Sequence, residues 1–487
     1  TARTAACLTE WKVSDDSVIS DHSLITFCTL TKIRNKVTWN FRKADWAAFS
    51  QCTESQSKKW QPISEWTTKT IENELGSWYS DVYEALRKSC PQTRGEGCAP
   101  NKRGRTCPWW SMELEALKTA ANNDYKRLRK WKRDLQNGSN PPFEEGERLL
   151  ETKNISEHAY KQAIRKAKRA SWKQITSSLQ NTAEMARFCK GAFRKERVSL
   201  GLVKRPNGHL TTSPEESTKV IMDALFPNST EVQAMPEHRP ASAPEVVLMA
   251  DGPTLYSDSM LQTAFKKFGN NKSAGTDGIK PILHHHLDWY FRRRLVYILE
   301  ASTRLAYVPR KWRLSRIALL PKPLKDDYAK VKAWRPIAVL QASFKVHELL
   351  HKWHLEESQR NFPTSDVQHA YLQGEGKGTD SAIADVVNFL EQTSQRDQHC
   401  IFIKFDVDGA FNKTQLAEVI KTMRNNDYPD IFTNWYEAFV MNQVACVDTG
   451  LAKCRRRLTL GVPQGALTSP LAWNIYFELG NPPQTIP

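Results

Sequence analysis

The sequence of 487 residues predicts an α+β fold, and three observations lead to that expectation. Short apolar strands alternate with amphipathic helices from about residue 245 onward, an order typical of sheets packed with helices. A long helical segment rich in lysine and arginine precedes this part. Hydrophobic residues make up 40% of the chain, which is sufficient for a sizeable buried core.

Strands and helices of the alternating part can be placed from apolar spacing. Residues 317–320 and 337–340 are short apolar runs joined by a loop rich in lysine and aspartate, and residues 400–406 predict a buried strand. The Asn-Gly pair at Asn207 predicts a hairpin turn within residues 201–210. Apolar residues at three- and four-residue spacing predict helices over residues 344–360, 380–392 and 416–423.

The first part of the chain divides into three zones. Residues 18–27 have the pattern of a loop that leads into an edge strand. Residues 31–110 are rich in tryptophan and predict a connector with short helices, and residues 109–197 have a helical pattern.

Positive charge is concentrated in the helical zone. The net charge is +17, and residues 101–210 hold 25 lysine and arginine residues against 11 aspartate and glutamate residues. Such localised charge favours a polyanionic partner, because lysine and arginine release counterions when they neutralise phosphates. A solvated helix face is the alternative. The candidate nucleic-acid contacts are Lys126, Arg127, Arg129, Lys130, Arg165, Lys166, Lys168 and Arg169.

Membrane and secretory features are missing from the sequence. No run approaches the roughly 18 apolar residues that span a bilayer, and no signal-peptide pattern opens the chain. The ten cysteines are scattered without a CxxC pair. We therefore expect an intracellular protein with reduced thiols and no membrane partner.

Two motifs near the end of the chain carry the chemistry. One is the apolar run that ends on Asp406 and continues to Phe411, and the other is the Pro-Gln-Gly turn at residues 463–465. A carboxylate at a strand end can hold a divalent metal, which prefers oxygen ligands on rigid backbone. A lone aspartate there is more often a turn residue or a cap, but the pair of motifs favours the metal.

These motifs resemble those of the reverse transcriptase polyproteins of non-LTR (LINE-type) retrotransposons, and the resemblance extends over nearly the whole chain. Residues 271–279 are similar to the family's opening motif, and residues 320–323 and 334–338 to its two fingers strands. The resemblance implies the fingers and palm of a right-hand polymerase. The family's aromatic-x-Asp-Asp turn does not occur before Pro487, so we expect an incomplete palm and a fragment truncated before that motif.

The resemblance also implies roles for particular residues. Asp406 would be the first catalytic aspartate and would bind Mg²⁺ or Mn²⁺ with the Val407 carbonyl, while the Phe411 ring would crowd a ribose 2′-hydroxyl. Asn412 departs from the family's aspartate, and residues 368–379 match its template-contacting motif too loosely for a role. The implied nucleotide-binding set is Lys322, Arg335, Phe411, Gln464 and Gly465.

A remnant of a second enzyme is expected at the start of the chain. Residues 20–23 resemble the last motif of the apurinic-type endonuclease that precedes many of these polymerases. His22 would contact the scissile phosphate and Asp21 would orient it. The predicted domains are an endonuclease remnant at 1–30, a connector and basic nucleic-acid-binding region at 31–240, and a reverse transcriptase domain at 241–487.

The implied function is RNA-directed DNA polymerase activity in a nuclear or cytoplasmic ribonucleoprotein. Its partners would be an RNA template, a DNA target that supplies the primer, and deoxynucleoside triphosphates. Asp406 is a single carboxylate where the chemistry of two metal ions needs a cluster, so we expect this chain to be inactive. Two alternatives stay open: a non-catalytic nucleic-acid-binding remnant of a decayed or domesticated element, and another reverse transcriptase branch such as an intron maturase, which Asp21 and His22 disfavour.

Overall fold

The chain contains two compact units. A computed structural model describes residues 8–14, 24–29, 37–94, 109–139, 141–178, 181–182, 184–186, 200–232, 235–359, 368–372, 376–407, 409–449 and 452–480. One unit lies within residues 1–33 and 96–197, and the other within residues 34–95 and 198–487. Both contain helices and strands, so the mixed α+β class is confirmed. Among the described helices, none is both long and apolar enough to cross a membrane.

The helices and strands are numbered in chain order. The helices are α1 (Trp46–Ser57), α2 (Thr68–Ser89), α3 (Met112–Gln136), α4 (Phe143–Ser177), α5 (Pro214–Leu225), α6 (Asp258–Lys266), α7 (Trp289–Arg304), α8 (Arg310–Arg313), α9 (Ala342–Gln359), α10 (Thr379–Gln395), α11 (Ala410–Lys413), α12 (Leu416–Asn425), α13 (Asp430–Val440) and α14 (Ser469–Gly480). The strands are β1 (Leu8–Ser14), β2 (Leu24–Thr29), β3 (Val37–Trp39), β4 (Glu65–Trp66), β5 (Gln92–Arg94), β6 (Thr230–Glu231), β7 (Val247–Leu248), β8 (Leu314–Pro321), β9 (Trp334–Val339), β10 (Val444–Asp448) and β11 (Lys453–Arg457). Short 3₁₀ turns occur at Phe41–Lys43, Pro281–His286 and Val331–Ala333.

The first unit combines a strand pair with a helical hairpin. Strands β1 and β2 are antiparallel, and helices α3 and α4 pack against each other. The Ser111 hydroxyl caps α3 by accepting from the Leu114 backbone N–H at 3.2 Å. Leu114, Ala121 and Leu128 are buried at seven-residue spacing, which keeps them on one side of α3. The predicted helical pattern is therefore confirmed over Met112–Gln136 and Phe143–Ser177, while residues 187–197 lie outside the described residues.

Helix α2 forms part of the core of the second unit. Its buried residues include Ile71, Leu75 and Trp78, and the Trp78 indole N–H donates to the Phe291 carbonyl of α7 at 3.3 Å. The expectation of only short helices over residues 31–110 is wrong, because α2 has 22 residues. Turn-forming residues at the end of that zone favoured the prediction of short helices, although the apolar face of α2 precedes them.

A five-stranded sheet of order β6-β11-β10-β8-β9 positions the site described below. Strands β8 and β9 are antiparallel, with Leu320 opposite Arg335, while β10 lies parallel to β8. Ile317, Ala445 and Cys454 are buried in one cluster with Met222 and Phe226 at α5. Because strand side chains alternate, the residues between them face the other side of the sheet. The predicted strands at 317–320 and 337–340 are confirmed as parts of β8 and β9.

The predicted hairpin and helices are confirmed, but the apolar face of α10 is exposed. Lys204 pairs with Leu210 across a turn in which Gly208 has φ 85°, and α9, α10 and α12 match the predicted helices. On α10, however, the apolar residues are exposed rather than packed, as Ile383 and Phe389 show. Periodicity indicates which residues share a face, and it does not show whether another element covers that face.

The predicted buried strand at residues 400–406 is wrong. Residues 401–407 belong to no helix or strand, and Ile401 and Phe405 are each 86% exposed. A strand forms only where a neighbour accepts and donates its backbone hydrogen bonds. The apolar pattern predicts what the segment could bury, whereas the partner is a property of the tertiary structure.

Candidate active site

Residues from five separate segments meet at one cavity in the second unit. The cavity has a volume of ≈ 330 Å³, within the range of small-ligand sites. Its walls include the end of β8, the start of β9, helix α11 and the loop before α14. Four of the five predicted nucleotide-binding residues line it: Lys322, Arg335, Phe411 and Gln464.

Backbone hydrogen bonds hold these segments together. The Ala338 N–H of β9 donates to the Gln464 carbonyl at 2.8 Å, and the Val462 N–H donates to the Phe411 carbonyl at 2.8 Å. The Gly461 N–H donates to the Thr414 carbonyl at 2.9 Å. The Pro-Gln-Gly loop therefore connects the edge strand of the sheet to the helix that carries Phe411.

Two glycines permit this close approach. Gly461 has φ 82°, and a Cβ there would lie 2.6 Å from the Asn412 carbonyl oxygen. Gly465 has φ 132°, and its Cβ would lie 2.5 Å from the Ala338 carbonyl oxygen. Both positions combine a backbone conformation that suits glycine with no room for a side chain. Gly465 thus shapes the cavity through its backbone and is not part of the lining.

The Phe411 ring is held by two other aromatic rings. Trp473 of α14 stacks on it with ring centres 6.0 Å apart, and Tyr371 meets it edge-on at 5.7 Å. These contacts are typical of favourable aromatic packing and orient the ring at the cavity wall.

The departure at Asn412 has a local structural explanation. Its side-chain amide donates to the Leu225 carbonyl at 2.9 Å, which joins α11 to the end of α5. An ionised aspartate has no proton to donate there, and its charge would face the carbonyl oxygen. The amide therefore fits this packing, as a carboxylate would not.

The sequence did not predict two features of the site: two lysines in the lining and a buried carboxylate behind the loop. Lys332 and Lys413 line the same cavity and add positive charge to that of Lys322 and Arg335. Lys332 arrives through the 3₁₀ turn before β9, which is held by the Lys322 N–H donating to the Ala333 carbonyl at 2.8 Å. A lysine in a charged loop carries no spacing signal, so only the folded loop reveals it.

A buried carboxylate supports the loop from behind. Glu348 of α9 accepts hydrogen bonds from the Thr468 backbone N–H at 3.0 Å and from its hydroxyl at 2.7 Å. Burial raises the pKa of this carboxyl, and the hydrogen bonds oppose that shift. The Glu348 carboxyl group lies at the start of α14, where the helix dipole favours an anion. Sequence reasoning placed Glu348 only on an amphipathic helix.

The proposed metal ligands lie in a segment that forms neither helix nor strand. Asp406 and Val407 are in the exposed stretch 401–407, where Val407 is 53% exposed, and Asp408 lies outside the described residues. The part of the chain that the structure describes contains no group of three or more His, Cys, Asp or Glu residues placed to hold a metal. The roles of Asp406 and Val407 as metal ligands therefore stay predictions.

The other predicted sites differ in how far the structure reaches them. Asp21 and His22 lie outside the described residues. All eight basic residues proposed for nucleic-acid contact are exposed on α3 and α4. Arg127 pairs with Asp124 at 3.7 Å, and the Lys168 amine lies 5.0 Å from the centre of the Trp109 ring. Exposure agrees with both interpretations of this charge, phosphate contact and a solvated helix face.

Comparison with known proteins supports the polymerase interpretation. Residues 321–479 match the reverse transcriptase (RNA-dependent DNA polymerase) family, and this span includes Lys322, Arg335, Phe411 and Gln464. The 115 kDa protein in the type-1 retrotransposable element R1DM of Drosophila melanogaster is 23% identical over 481 residues, which are 96% of this chain and 43% of that protein. The chain is related to non-LTR retrotransposon reverse transcriptase polyproteins.

Further relatives agree with this relationship. The retrovirus-related Pol polyprotein of type-1 retrotransposable element R1 from Bradysia coprophila is 22% identical over 479 residues, covering 96% of this chain and 45% of the relative. An RNA-directed DNA polymerase from transposon X-element of Drosophila melanogaster is 26% identical over 218 residues, covering 42% and 23%. The chain thus spans less than half the length of these retrotransposon relatives.

Proposed function

We propose that this chain takes part in RNA-directed DNA synthesis, and that the cavity between β9 and α11 binds the deoxynucleoside triphosphate. One observation carries the proposal: Lys322, Arg335, Phe411 and Gln464, chosen from separate motifs, line a single cavity. The proposed partners are an RNA template and a DNA target that supplies the primer. A nuclear or cytoplasmic ribonucleoprotein is the proposed setting.

The lining suggests a division of work between charged and aromatic groups. A triphosphate carries several negative charges, and the planar guanidinium of Arg335 can bind one phosphate through two parallel hydrogen bonds. Lys322 and Lys332 line the same cavity and add point charges. Phe411, fixed by its aromatic neighbours, is the proposed steric filter against a 2′-hydroxyl.

Mg²⁺ or Mn²⁺ is the proposed cofactor, because enzymes of this family generally use divalent ions for phosphoryl transfer. Asp406 and Val407 are the proposed ligands.

Nucleotide binding to the chain tests the proposal without requiring catalysis. Arg335→Gln should weaken binding of a fluorescent dATP analogue about tenfold, because a charge-assisted hydrogen bond is worth roughly 1.5–3 kcal/mol. Fluorescence anisotropy would measure the dissociation constant. Lys330→Gln is the matched control, since Lys330 is an exposed residue near β9 that does not line the cavity. Equal affinities for both variants and the unmodified chain would contradict the proposal.

The same titration tests the sugar filter. The chain should bind the dATP analogue more tightly than the ATP analogue, and Phe411→Ala should reduce that preference by up to about tenfold, since about 1.4 kcal/mol corresponds to tenfold in affinity. Thermal unfolding would check that the variant is folded. An unchanged preference in a folded variant would show that Phe411 does not contact the sugar.

Nucleic-acid binding by the basic hairpin of α3 and α4 is a second candidate function, favoured by its eight exposed cations. Replacing Lys166, Lys168 and Arg169 with Gln should lower the slope of log affinity against log salt by about 2–3 on duplex DNA. The control replaces Lys266, Lys267 and Lys421, which are exposed in the other unit. Filter binding over a salt series measures both slopes, and a solvated helix face would leave them equal.

A further inference from the structure

A second and larger cavity is lined by residues of β8, β10 and β11. Its volume is ≈ 550 Å³, and none of its lining residues belongs to the cavity of the proposed nucleotide site. Two carboxylates, of Asp277 and Asp448, contribute to the lining. Five cations outnumber them: Arg310, Lys311, Arg316, Lys453 and Arg455.

The strand register fixes the spacing of three of these cations. Cys446 of β10 lies opposite Arg316 of β8 on one side and opposite Arg455 of β11 on the other. Neighbouring strands are about 4.8 Å apart, so the Cα atoms of Arg316 and Arg455 are separated by roughly 10 Å. Lys453 lies two residues from Arg455 on the same face, at roughly 7 Å. This spread is wider than a single phosphate and suits successive phosphates of one strand.

The cavity also contains polar atoms that have no partner. Within the described residues, the Arg316 Nε and the Gln341 Oε1 are buried without a hydrogen bond. Gln341 is held in place, because its amide donates to the Thr276 hydroxyl at 2.7 Å and to the Leu314 carbonyl at 3.0 Å. Lys311 is placed over the Tyr79 ring at 4.6 Å. The Arg316 Nε is a hydrogen-bond donor, so it can donate to an anionic group in the cavity.

The carboxylates do not neutralise this charge. Asp277 is directed to protein groups, accepting from the Ile279 N–H at 3.1 Å and from the Tyr79 hydroxyl at 3.3 Å. Burial raises the pKa of its carboxyl to about 6. Asp448 lies opposite Lys453 in the ladder, and Arg310 contacts Glu237 at 3.4 Å, so Arg316, Arg455 and Lys311 remain as the excess.

We propose that this cavity binds the backbone of single-stranded RNA at successive phosphates, through Arg316, Lys453 and Arg455. The choice of RNA over another polyanion rests on the proposed function, whereas the site itself rests on the cavity and the strand register. The site is distinct from the basic hairpin, which belongs to the other unit.

Lysine footprinting on the full chain tests the site directly. The probe is an oligouridylate of about 20 nucleotides, longer than the site of one binding domain, added without nucleotide or metal. Acetylation of Lys311 and Lys453, read by mass spectrometry, should fall at least about threefold at saturating probe. Lys421, an exposed lysine outside the cavity, should react at the same rate with and without RNA.

A double variant tests the energetic contribution. Lys453→Gln with Arg455→Gln should reduce the salt slope of oligouridylate binding by about 1.4, since each contact on a single strand contributes about 0.7. Lys266→Gln with Lys267→Gln removes the same charge from an exposed site elsewhere on the second unit. Binding to the hairpin is common to both variants and cancels in the comparison. Thermal unfolding confirms that each variant is folded.

Defined outcomes overturn the inference. Equal slopes for the two double variants, or no protection of Lys311 and Lys453, would show that RNA does not occupy the cavity. Protection by free triphosphate at the concentration where oligouridylate gives none would assign the cavity to a small phosphate ligand instead. Nucleotide binding at Arg335 is measured without RNA, so failure there leaves the footprint unaffected, and the two proposals fail separately.

Discussion

Acidification from pH 7 to pH 4 is expected to destabilise the second unit by several kcal/mol, because three histidines are buried in their neutral form. His347 accepts or donates a hydrogen bond with the Thr303 hydroxyl at 2.9 Å, and His351 stacks on Trp435 with ring centres 3.8 Å apart. His284 is buried against the Phe265 ring. Burial lowers the pKa of His347 to about 3 and of His284 to about 4, and it holds the pKa of His351 well below its usual value.

The sign of this change in stability follows from which state, folded or unfolded, binds the proton. An unfolded histidine has a pKa of about 6.5, so below that pH the unfolded chain is protonated while the folded chain is not. Stability is therefore complete above about pH 6.5 and is lost as the pH falls toward the folded values. His347 and His284 should each lower the free energy of unfolding by about 3 kcal/mol between pH 7 and pH 4.

Buried carboxyls oppose this loss. Burial raises the pKa of Asp277 to about 6, so the folded chain takes up this proton before the unfolded chain does. Protonation of Asp277 should therefore raise the free energy of unfolding by about 2 kcal/mol between pH 7 and pH 4. The raised pKa of Glu348 acts in the same direction. The histidines outnumber these groups, so the net effect is destabilising.

Urea unfolding at pH 7, pH 5 and pH 4 measures the effect. His347→Gln keeps a polar side chain but cannot titrate, so its free energy of unfolding should fall by about 3 kcal/mol less than that of the unmodified chain between pH 7 and pH 4. The control is His209→Gln, which replaces an exposed histidine. The same pH dependence for all three proteins would contradict the account of His347.

Replacing Arg294 with Met is expected to lower the free energy of unfolding at pH 7 by about 3–5 kcal/mol, the usual cost of leaving buried charges unpaired. Arg294 of α7 is 4% exposed and contacts Glu74 at 3.2 Å and Asp81 at 2.7 Å, both on α2. Without the guanidinium, two partly buried carboxylates of α2 would be left without their cation. Their repulsion and lost solvation produce the expected effect.

Two further variants separate charge from packing. Arg293→Met changes the neighbouring residue of α7, which contacts the Trp289 ring at 5.1 Å, and should cost less than about 1 kcal/mol. Adding Glu74→Gln and Asp81→Asn to Arg294→Met should restore part of the stability, because it removes the unpaired charges. A loss for Arg294→Met no larger than that for Arg293→Met, by urea unfolding, would contradict the ion-pair account.

The sequence predicts local structure better than what covers it. The strands that became β8 and β9, the helix α9 and the Asn207 turn follow from spacing alone, because neighbouring residues decide them. The burial of residues 400–406 and of the apolar face of α10 does not, because burial depends on a partner element. The length of α2 was missed for a related reason, since its apolar face is interpretable only against α7.

The site shows the same division. Lys322, Arg335, Phe411 and Gln464 were found because each belongs to a contiguous motif, and the structure brings all four to one cavity. Lys332, Glu348 and the basic cavity lined by β8, β10 and β11 were not predicted, because their members are distant in sequence and share no spacing. The roles of Asp406 and Val407 stay predictions, because the described segment around them forms no carboxylate cluster.

Photo-crosslinking of a nucleotide to the chain tests the central claim, that the cavity between β9 and α11 binds a deoxynucleoside triphosphate. An azido-dATP probe would be irradiated with residues 1–487, and labelled peptides would be identified by mass spectrometry, with and without excess unlabelled dATP. The account predicts competable label in peptides that contain residues 332–336 or 409–413, both of which line the cavity. Competable label confined to peptides outside the lining would contradict it.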